Sequence, residues 1–322
     1  MRSRLLYLSE ADVAGVGVSL ERLREAVAAA FAAAARGRAQ AAPKSVLTVG
    51  PGHVFQAKPA ILRDAGYAGM KWFGLTPPGQ SAGPSISSTI ILADVASGMA
   101  VAVMGGDWIT AKRTAAMTAI AAQALARKDS KTIGFVGAGV QGHSHLEALR
   151  LVLPGLERAV VCSRTEASAA RLARSARDAG MQARTTLVPR EAVEGMDVVV
   201  TTVPEGAATL EFLDPDWVSP GAFVGAVDLA RSWQRDKLRR FDVLATDEHE
   251  QTRVLTASGR MTYAGPYEAD LMQICSGAFK GRPSSAQRAL FNFSGHALAD
   301  LAAAQIVYET ASSSGLGTWL AR

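Results

Sequence analysis

The sequence predicts an α/β protein in which a central Rossmann-type domain is set between two chain ends that together build a second, α+β domain. Three observations carry this. The apolar run Thr132–Val136 ends in Gly137-Ala138-Gly139-Val140-Gln141-Gly142, a Gly-x-Gly-x-x-Gly pattern with a helix-like segment straight after it. From there to about residue 246, strand-like runs alternate with helical ones, the rhythm of a parallel sheet covered by helices. Before residue 110 the chain instead shows short β-like runs parted by Gly/Pro turns, and its tail returns to helix. The expected domains are 1–115, 116–291 and 292–322, the first and last forming one body around the middle one.

Taken in order, residues 20–36 read as an Ala-rich helix with Ser19 as N-cap and Gly37 as its stop. Runs at 46–49, 68–73, 89–94 and 99–103 are β-like, and turns at Pro77-Pro78-Gly79 and Ser97-Gly98 suit antiparallel hairpins. Residues 110–127 form a long helix leading directly into Thr132–Val136. Strands follow at 159–162, 197–203, 222–227 and 242–246, with 167–180 as the clearest helix between them. The stretch 285–312 is expected to be helical, its Leu290, Ala297, Leu298, Leu301 and Ile306 falling on a helical period. No internal repeat or disordered linker interrupts this order.

At 322 residues there is room for two domains of roughly 150 residues each. A net charge of +5, without a Lys/Arg block or basic–aromatic interleaving, argues against a nucleic-acid surface and for small anionic ligands. Cys162 and Cys275 are too few for a disulfide framework and suit a reducing compartment as small buried hydrophobes. Ser9, Glu10 and Asp12 interrupt any apolar region behind the basic N-terminus, and no run nears the ~18 apolar residues of a membrane span. The expectation is a soluble, cytoplasmic protein with no membrane partner. His143 and His145 do not share a helical face, and with His249 and His296 they make no ligand cluster, so no metal is expected.

The glycine pattern has a physical reading. Gly137 lets the chain turn sharply off its strand, Gly139 clears the backbone for a pyrophosphate, and Gly142 lets the next helix pack closely. Amides at that helix start then face the phosphates. Ala138, Val140 and Gln141 belong to the same turn, and Val203 at the end of the run 197–203 is placed beside it. The strand 159–162 ends in Ser163-Arg164-Thr165, with no carboxylate at its tip to hold ribose hydroxyls; Glu166 comes too late. An Arg between two hydroxyls suits a 2′-phosphate, so NADP(H) is the expected cofactor, with NAD(H) as the alternative.

The block Gly105-Gly106-Asp107-Trp108-Ile109-Thr110-Ala111-Lys112-Arg113-Thr114-Ala115-Ala116 is distinctive. Together with Leu92-Ala93-Asp94-Val95-Ala96-Ser97-Gly98 and the glycine turn, it resembles the ornithine cyclodeaminase/mu-crystallin family. The likeness runs from Lys71 through 295–300 to Gly315-Leu316-Gly317-Thr318. It implies a homodimer whose non-Rossmann domain joins the subunits and forms the substrate site. It also implies NAD(P)-linked chemistry at a carbon bearing an amine or imine beside a carboxylate. Lys71 matches the family lysine of a Gly-x-Lys element, and Arg113 matches the arginine that binds the substrate carboxylate with it. Thr114 is implied beside the cofactor phosphates, and Ser85 falls where relatives place a hydroxyl near the substrate.

The residues themselves give the same picture more weakly. Arg supplies a bidentate clamp for a carboxylate and Lys a point charge. On an apolar strand beside Trp72 and Phe73, desolvation would bring Lys71 towards proton-transfer use. The plain alternatives are a strand-edge lysine reaching water and a helix-surface ion pair for Arg113.

Several departures from the family pattern bear on chemistry. Pro43-Lys44 replaces a Pro-x-Arg element, giving a less directional cation for the substrate. Lys58-Pro59-Ala60 stands where relatives carry Met-Pro-Ala; the added charge favours an acidic substrate unless its side chain points to water. In Gly225-Ala226-Val227-Asp228-Leu229-Ala230-Arg231 the proton-transfer Asp of cyclodeaminases falls on Ala230, with Asp228 two residues early. Asp228 either enters the site from a shifted loop or ends the strand. Phe293 occupies a position where relatives usually have Ser. The expected activity is therefore NADPH-dependent reduction of a small cyclic imine carboxylate, giving L-proline or L-pipecolate. The alternatives are a cyclodeaminase, an alanine dehydrogenase-type enzyme, and a non-catalytic nucleotide-dependent binding protein.

Overall fold

Burial alternates along the first strands of the chain and is continuous along the central ones, and this contrast separates two compact units. The structure is a computed structural model that describes residues 4–77, 85–204, 211–261 and 263–321. One unit comprises Met1–Arg113 with Gly295–Arg322, the other Thr114–Ser294. The chain opens with β1 (Arg4–Leu8), α1 (Glu10–Gly15) and α2 (Leu20–Ala35). It continues through β2 (Ala39–Ala41), β3 (Ser45–Gly50), β4 (His53–Leu62), β5 (Tyr67–Leu75), β6 (Ile86–Asp94) and β7 (Ala100–Gly105). Helix α3 (Asp107–Leu125) contributes its start, to Arg113, to this unit and the rest to the next. The central stretch holds β8 (Thr132–Val136), α4 (Val140–Val152), β9 (Arg158–Cys162), α5 (Glu166–Asp178), β10 (Gln182–Thr186), β11 (Val198–Thr201) and β12 (Phe223–Ala226). After β13 (Val243–Thr246) come α6 (His249–Ala257), β14 (Ala269–Asp270), α7 (Leu271–Ser276) and β15 (Ala289–Asn292), and the tail is α8 (Ala297–Ser314) and β16 (Thr318–Ala321).

In the first unit the sheet runs β16-β1-β7-β6-β5-β4-β2, with β3 also paired to β4, and β4 to β7 form an antiparallel meander. Period-two alternation sorts its faces. One row crosses the sheet as Lys58, Lys71, Ile90, Met104 and Leu8, all buried. The next row, Pro59, Met70, Ile91, Val103 and Tyr7, points the other way, and Ile91 and Tyr7 are exposed. Helix α8 packs on β4, β5, β6 and α2. It is apolar on almost every side, as a central helix must be, and Asp300 is the charged residue buried within it. Helix α2 buries Leu23, Val27, Ala30 and Phe31 along one stripe; each large side chain there contributes about 1.5–3 kcal/mol. Ser19 caps it by accepting from Arg22 N, and Gly37, at φ +70, closes it as expected.

Strand β4 was not legible in the sequence because Pro59 and two polar residues interrupt its apolar pattern. The proline is tolerated for a local reason. β3 pairs with β4 up to Ala57 and β2 pairs from Ala60, so Pro59 sits where β4 changes neighbour on that side. The Pro77-Pro78-Gly79 turn lies partly outside the described residues.

The second unit is a parallel sheet in the order β10-β9-β8-β11-β12-β15-β13-β14. Its first part is the 3-2-1-4-5 winding of a Rossmann sheet, with the order reversing between β8 and β11. Strands β8, β11, β12 and β13 are buried along their full length, hence their unbroken apolar runs. One expectation fails here. Residues 289–292 are not the start of the last helix but strand β15, inserted between β12 and β13, and α8 begins only after Gly295 turns the chain at φ +80. A short, fully buried strand has no polar face, so its apolar run imitates a helical period.

Candidate active site

The nucleotide side is built at the carboxyl ends of β8 and β11. Gly137 leaves β8 at φ +104, and a Cβ there would collide with Thr202 Oγ1. Gly142 lies inside α4, where a Cβ would come within 2.9 Å of Leu172 on α5 and 3.2 Å of the Gly137 carbonyl. Gly139 differs: nothing stands within 4 Å of the position its side chain would take. It is also the N-cap of α4 and caps with no side-chain hydrogen bond, leaving the first amides of the helix without a side-chain acceptor. Two buried polar atoms at this place, Thr202 Oγ1 and Gln141 Oε1, have no hydrogen-bond partner among the described residues. An anion with hydrogen-bonding groups alongside suits all of these features, so the residues fit a dinucleotide pyrophosphate.

Around the turn, Ala138 and Gly142 are buried, Gln141 is half-buried, and Val140 is 69% exposed. Val203 packs half-buried against the unit's apolar cluster. At the tip of β9, Ser163 is half-buried and Arg164 exposed. The Thr165 hydroxyl is engaged locally: it accepts from Ser168 N as the N-cap of α5 and donates to Ser168 Oγ. Thr114 is buried on α3.

The first unit holds a buried charge cluster. Lys71 Nζ donates to Asp300 Oδ1 at 2.6 Å and to Thr110 Oγ1 at 3.1 Å. Arg113 Nε lies 2.7 Å from the same carboxylate oxygen. Lys58 stands directly opposite Lys71 on the paired strand, and their ammonium groups lie 4.9 and 5.6 Å from the centre of the Phe73 ring. All four charged side chains are at most 5% exposed. Lys58 therefore does not reach for water, Lys71 is no solvated edge residue, and Arg113 is no surface pair. A side chain on Gly295 would run into the Arg113 guanidinium at 2.6 Å, so this glycine leaves room for it.

Electrostatics follows from the geometry. Burial works against the Asp300 charge, but Arg113, Lys71 and Lys58 outweigh it and hold the carboxyl at about 2. Burial, then the charge of Arg113, pulls the Lys71 ammonium well below the ordinary lysine range, against the attraction of Asp300. Asp300 Oδ2 is buried with no hydrogen-bond partner among the described residues. It is a ready acceptor.

Not every expected residue is brought to this cluster. Ser85 is exposed, its carbonyl accepting from Thr76 N, whereas Ser88, one strand turn on, is buried. Ser88 donates to Asp107 Oδ1 and lies 3.5 Å from the Thr110 hydroxyl that receives Lys71. Lys44 is half-buried in the segment before β3. Asp300 was missed as a site residue. Its signal was present, since a lone carboxylate in an otherwise apolar helical run implies a buried partner.

Asp228, in the second unit, is held by two hydroxyl groups. Thr201 Oγ1 and Ser232 Oγ donate to its two oxygens at 2.8 and 2.6 Å, and burial raises its pKa. Leu229 and Ala230 follow in left-handed backbone, at φ +62 and +55, and Ala230 is fully buried in the apolar cluster. Phe293 is likewise buried, stacked on Phe291 at 4.5 Å. Among the described residues no three His, Cys, Asp or Glu side chains gather as a metal site, and no helix is long and apolar enough to cross a membrane.

A Rossmann sheet with an uncapped glycine turn at its switch point defines a dinucleotide-binding protein. The chain belongs to the ornithine cyclodeaminase/mu-crystallin family, whose sequence profile matches residues 6–315. It is 35% identical over 235 residues to the ketimine reductase mu-crystallin of Mus musculus, covering 71% of each chain. Its fold is similar to that of Thermococcus litoralis Δ1-pyrroline-2-carboxylate reductase in complex with NADH and L-proline, with a TM-score of 0.88 and 28% identity over 98% of this chain and 99% of the other. An archaeal alanine dehydrogenase dimer with bound NAD gives a TM-score of 0.88 and 29% identity over 98% and 99%.

Proposed function

We propose that this protein is an NADPH-dependent reductase of a small cyclic imine carboxylate of the 1-pyrroline-2-carboxylate or 1-piperideine-2-carboxylate type, forming L-proline or L-pipecolate. The observation that carries the reading is the buried Lys71–Asp300–Arg113 cluster, in a family whose relatives include a ketimine reductase and a pyrroline-2-carboxylate reductase. Bound NADPH would supply a hydride for C2 of the imine. The chain's own groups do the rest. Arg113 and Lys71 hold the substrate carboxylate, and Asp300 Oδ2 accepts from the ring N–H. The Lys71 ammonium, easily deprotonated in its buried place, supplies the proton that an imine nitrogen needs before reduction. Holding these groups in advance supplies much of the acceleration.

Cyclodeamination is disfavoured, because Ala230 is packed in the core and Asp228 is held by Thr201 and Ser232. The reading also pairs two copies through the outward face of the first unit's sheet, where Tyr7, Trp72 and Ile91 are exposed.

The test offers the purified protein NADPH with each cyclic imine, NADPH with pyruvate plus ammonia, and NAD with ornithine. Nucleotide oxidation with the cyclic imines alone is expected. Proline formed from ornithine, or preference for pyruvate plus ammonia, would replace the reading by one of its rivals. Tight NADPH binding without turnover would make the protein a binding protein.

A further inference from the structure

We propose that His145 is a positioning residue for nucleotide binding, holding the first turn of α4 in the shape that receives a pyrophosphate. This rests on the dinucleotide site and is independent of which substrate is reduced.

Helix α4 starts with little support of its own. Its N-cap, Gly139, makes no side-chain hydrogen bond, its first turn carries no acidic residue, and its third residue is a second glycine, Gly142. Each feature weakens a helix start. The same features are what an anion requires, because a side-chain cap would occupy the amides that should face it. A first turn that leaves its amides to a ligand has to be held from elsewhere.

His145, one helical turn on, holds it from below. The ring is fully buried, with Nδ1 2.7 Å from the Gln141 carbonyl and Nε2 2.9 Å from the Thr118 hydroxyl on α3. A carbonyl only accepts, so Nδ1 carries the proton and Nε2 accepts from Thr118. Burial pulls the ring's pKa down to about 4, which keeps it neutral near pH 7 and preserves this one tautomer. Thr118 is itself fixed in place. A Cβ on Gly225 would come within 2.7 Å of Thr118 Cγ2, so the methyl group lies tight against the β12 backbone. Support therefore runs from the sheet through Thr118 and His145 to Gln141, the second residue of α4. The Oε1 of that same Gln141 is buried beside the turn with no hydrogen-bond partner among the described residues.

Two substitutions divide the ring. His145→Asn keeps a donor near the place of Nδ1, whereas His145→Gln keeps an acceptor near the place of Nε2. Fluorescence titration should show His145→Gln binding NADPH and NADH about tenfold more weakly, the factor expected from losing one buried hydrogen bond. The factor should be equal for the two nucleotides, which share the pyrophosphate. His145→Asn should recover most of the loss at a similar melting temperature. Nitrogen-15 NMR of the unaltered protein should find the His145 proton on Nδ1 near pH 7. Equal nucleotide affinity in the two variants, or a proton on Nε2, overturns the proposal. If the variants do not fold, the tautomer alone decides it. Failure of the unaltered protein to bind either nucleotide would remove the dinucleotide site, and this role with it.

Discussion

Asp300 Oδ1 lies 2.6 Å from Lys71 Nζ, although 229 residues separate the two in the chain. With Arg113 Nε at 2.7 Å on the same oxygen, this carboxylate is shared by two buried cations. Asp300→Asn should therefore remove the carboxylate that Lys71 and Arg113 share and lower stability by about 3 kcal/mol or more. Urea unfolding measures it; a loss below about 1 kcal/mol would mean that the cluster is not held by Asp300.

The same carboxyl predicts a pH dependence. Its folded pKa, about 2, lies below the ordinary 3.8, so its stabilisation is present above that ordinary value and lost as pH falls towards 2. Lys71 acts in the opposite sense, since its charged form is disfavoured in the fold; stability from this group rises as pH climbs towards 10.5. Stability measured against pH should lose its steep acid limb in Asp300→Asn. An unchanged limb would assign it to other carboxylates.

The two glycines of the nucleotide turn should separate folding from binding. Gly137→Ala meets Thr202 and a left-handed backbone, so it should destabilise the fold, by about 1–3 kcal/mol from backbone strain alone. Gly139→Ala adds a Cβ with no protein atom within 4 Å, so it should leave the melting temperature nearly unchanged while weakening NADPH binding at least about tenfold. Nucleotide fluorescence titration beside thermal melting checks both. Equal losses of stability in the two variants would remove the pyrophosphate assignment for Gly139.

Nucleotide choice is expected to rest on Arg164, which stands exposed at the tip of β9. Arg164→Asp should weaken NADPH binding about 100-fold and leave NADH binding little changed, because only the 2′-phosphate meets the guanidinium. An unaltered NADPH/NADH ratio would assign the discrimination elsewhere. The Thr165 hydroxyl, busy capping α5, leaves Arg164 and Ser163 with most of the task.

Assembly can be tested at Ile91, which lies on the outward face of the first unit's sheet. Light scattering should give a dimer for the unaltered protein and a shift towards monomer for Ile91→Lys. A monomer in both cases would leave that face without the proposed partner.

Much of the nucleotide-binding unit was legible because its physics is local. A buried parallel strand needs an apolar run and a sharp strand-to-helix turn needs glycine, and both are contiguous in sequence around Gly137. The charge cluster was harder to read. Lys71 and Arg113 stood out through family likeness, but their counter-ion lies in the tail, and only tertiary structure brings Asp300 to them. Lys58 presented two readings until burial removed one. Strand β15 was mistaken for helix because full burial erases the alternation that would have marked it. Ser85 was expected from the likeness alone and is exposed, whereas Ser88 on β6 is buried.

The separation of Lys71 from Asp300 also orders events in time. During synthesis, at roughly 5–20 residues per second, Lys71 leaves the ribosome on the order of ten seconds or more before its counter-ion is made. Arg113 and Lys58 wait with it, while the whole of Thr114–Ser294 emerges and can fold. The first unit therefore lacks the Asp300 carboxylate until α8 is made, so a helix that follows the whole nucleotide-binding unit completes a body whose strands β1 to β7 precede it.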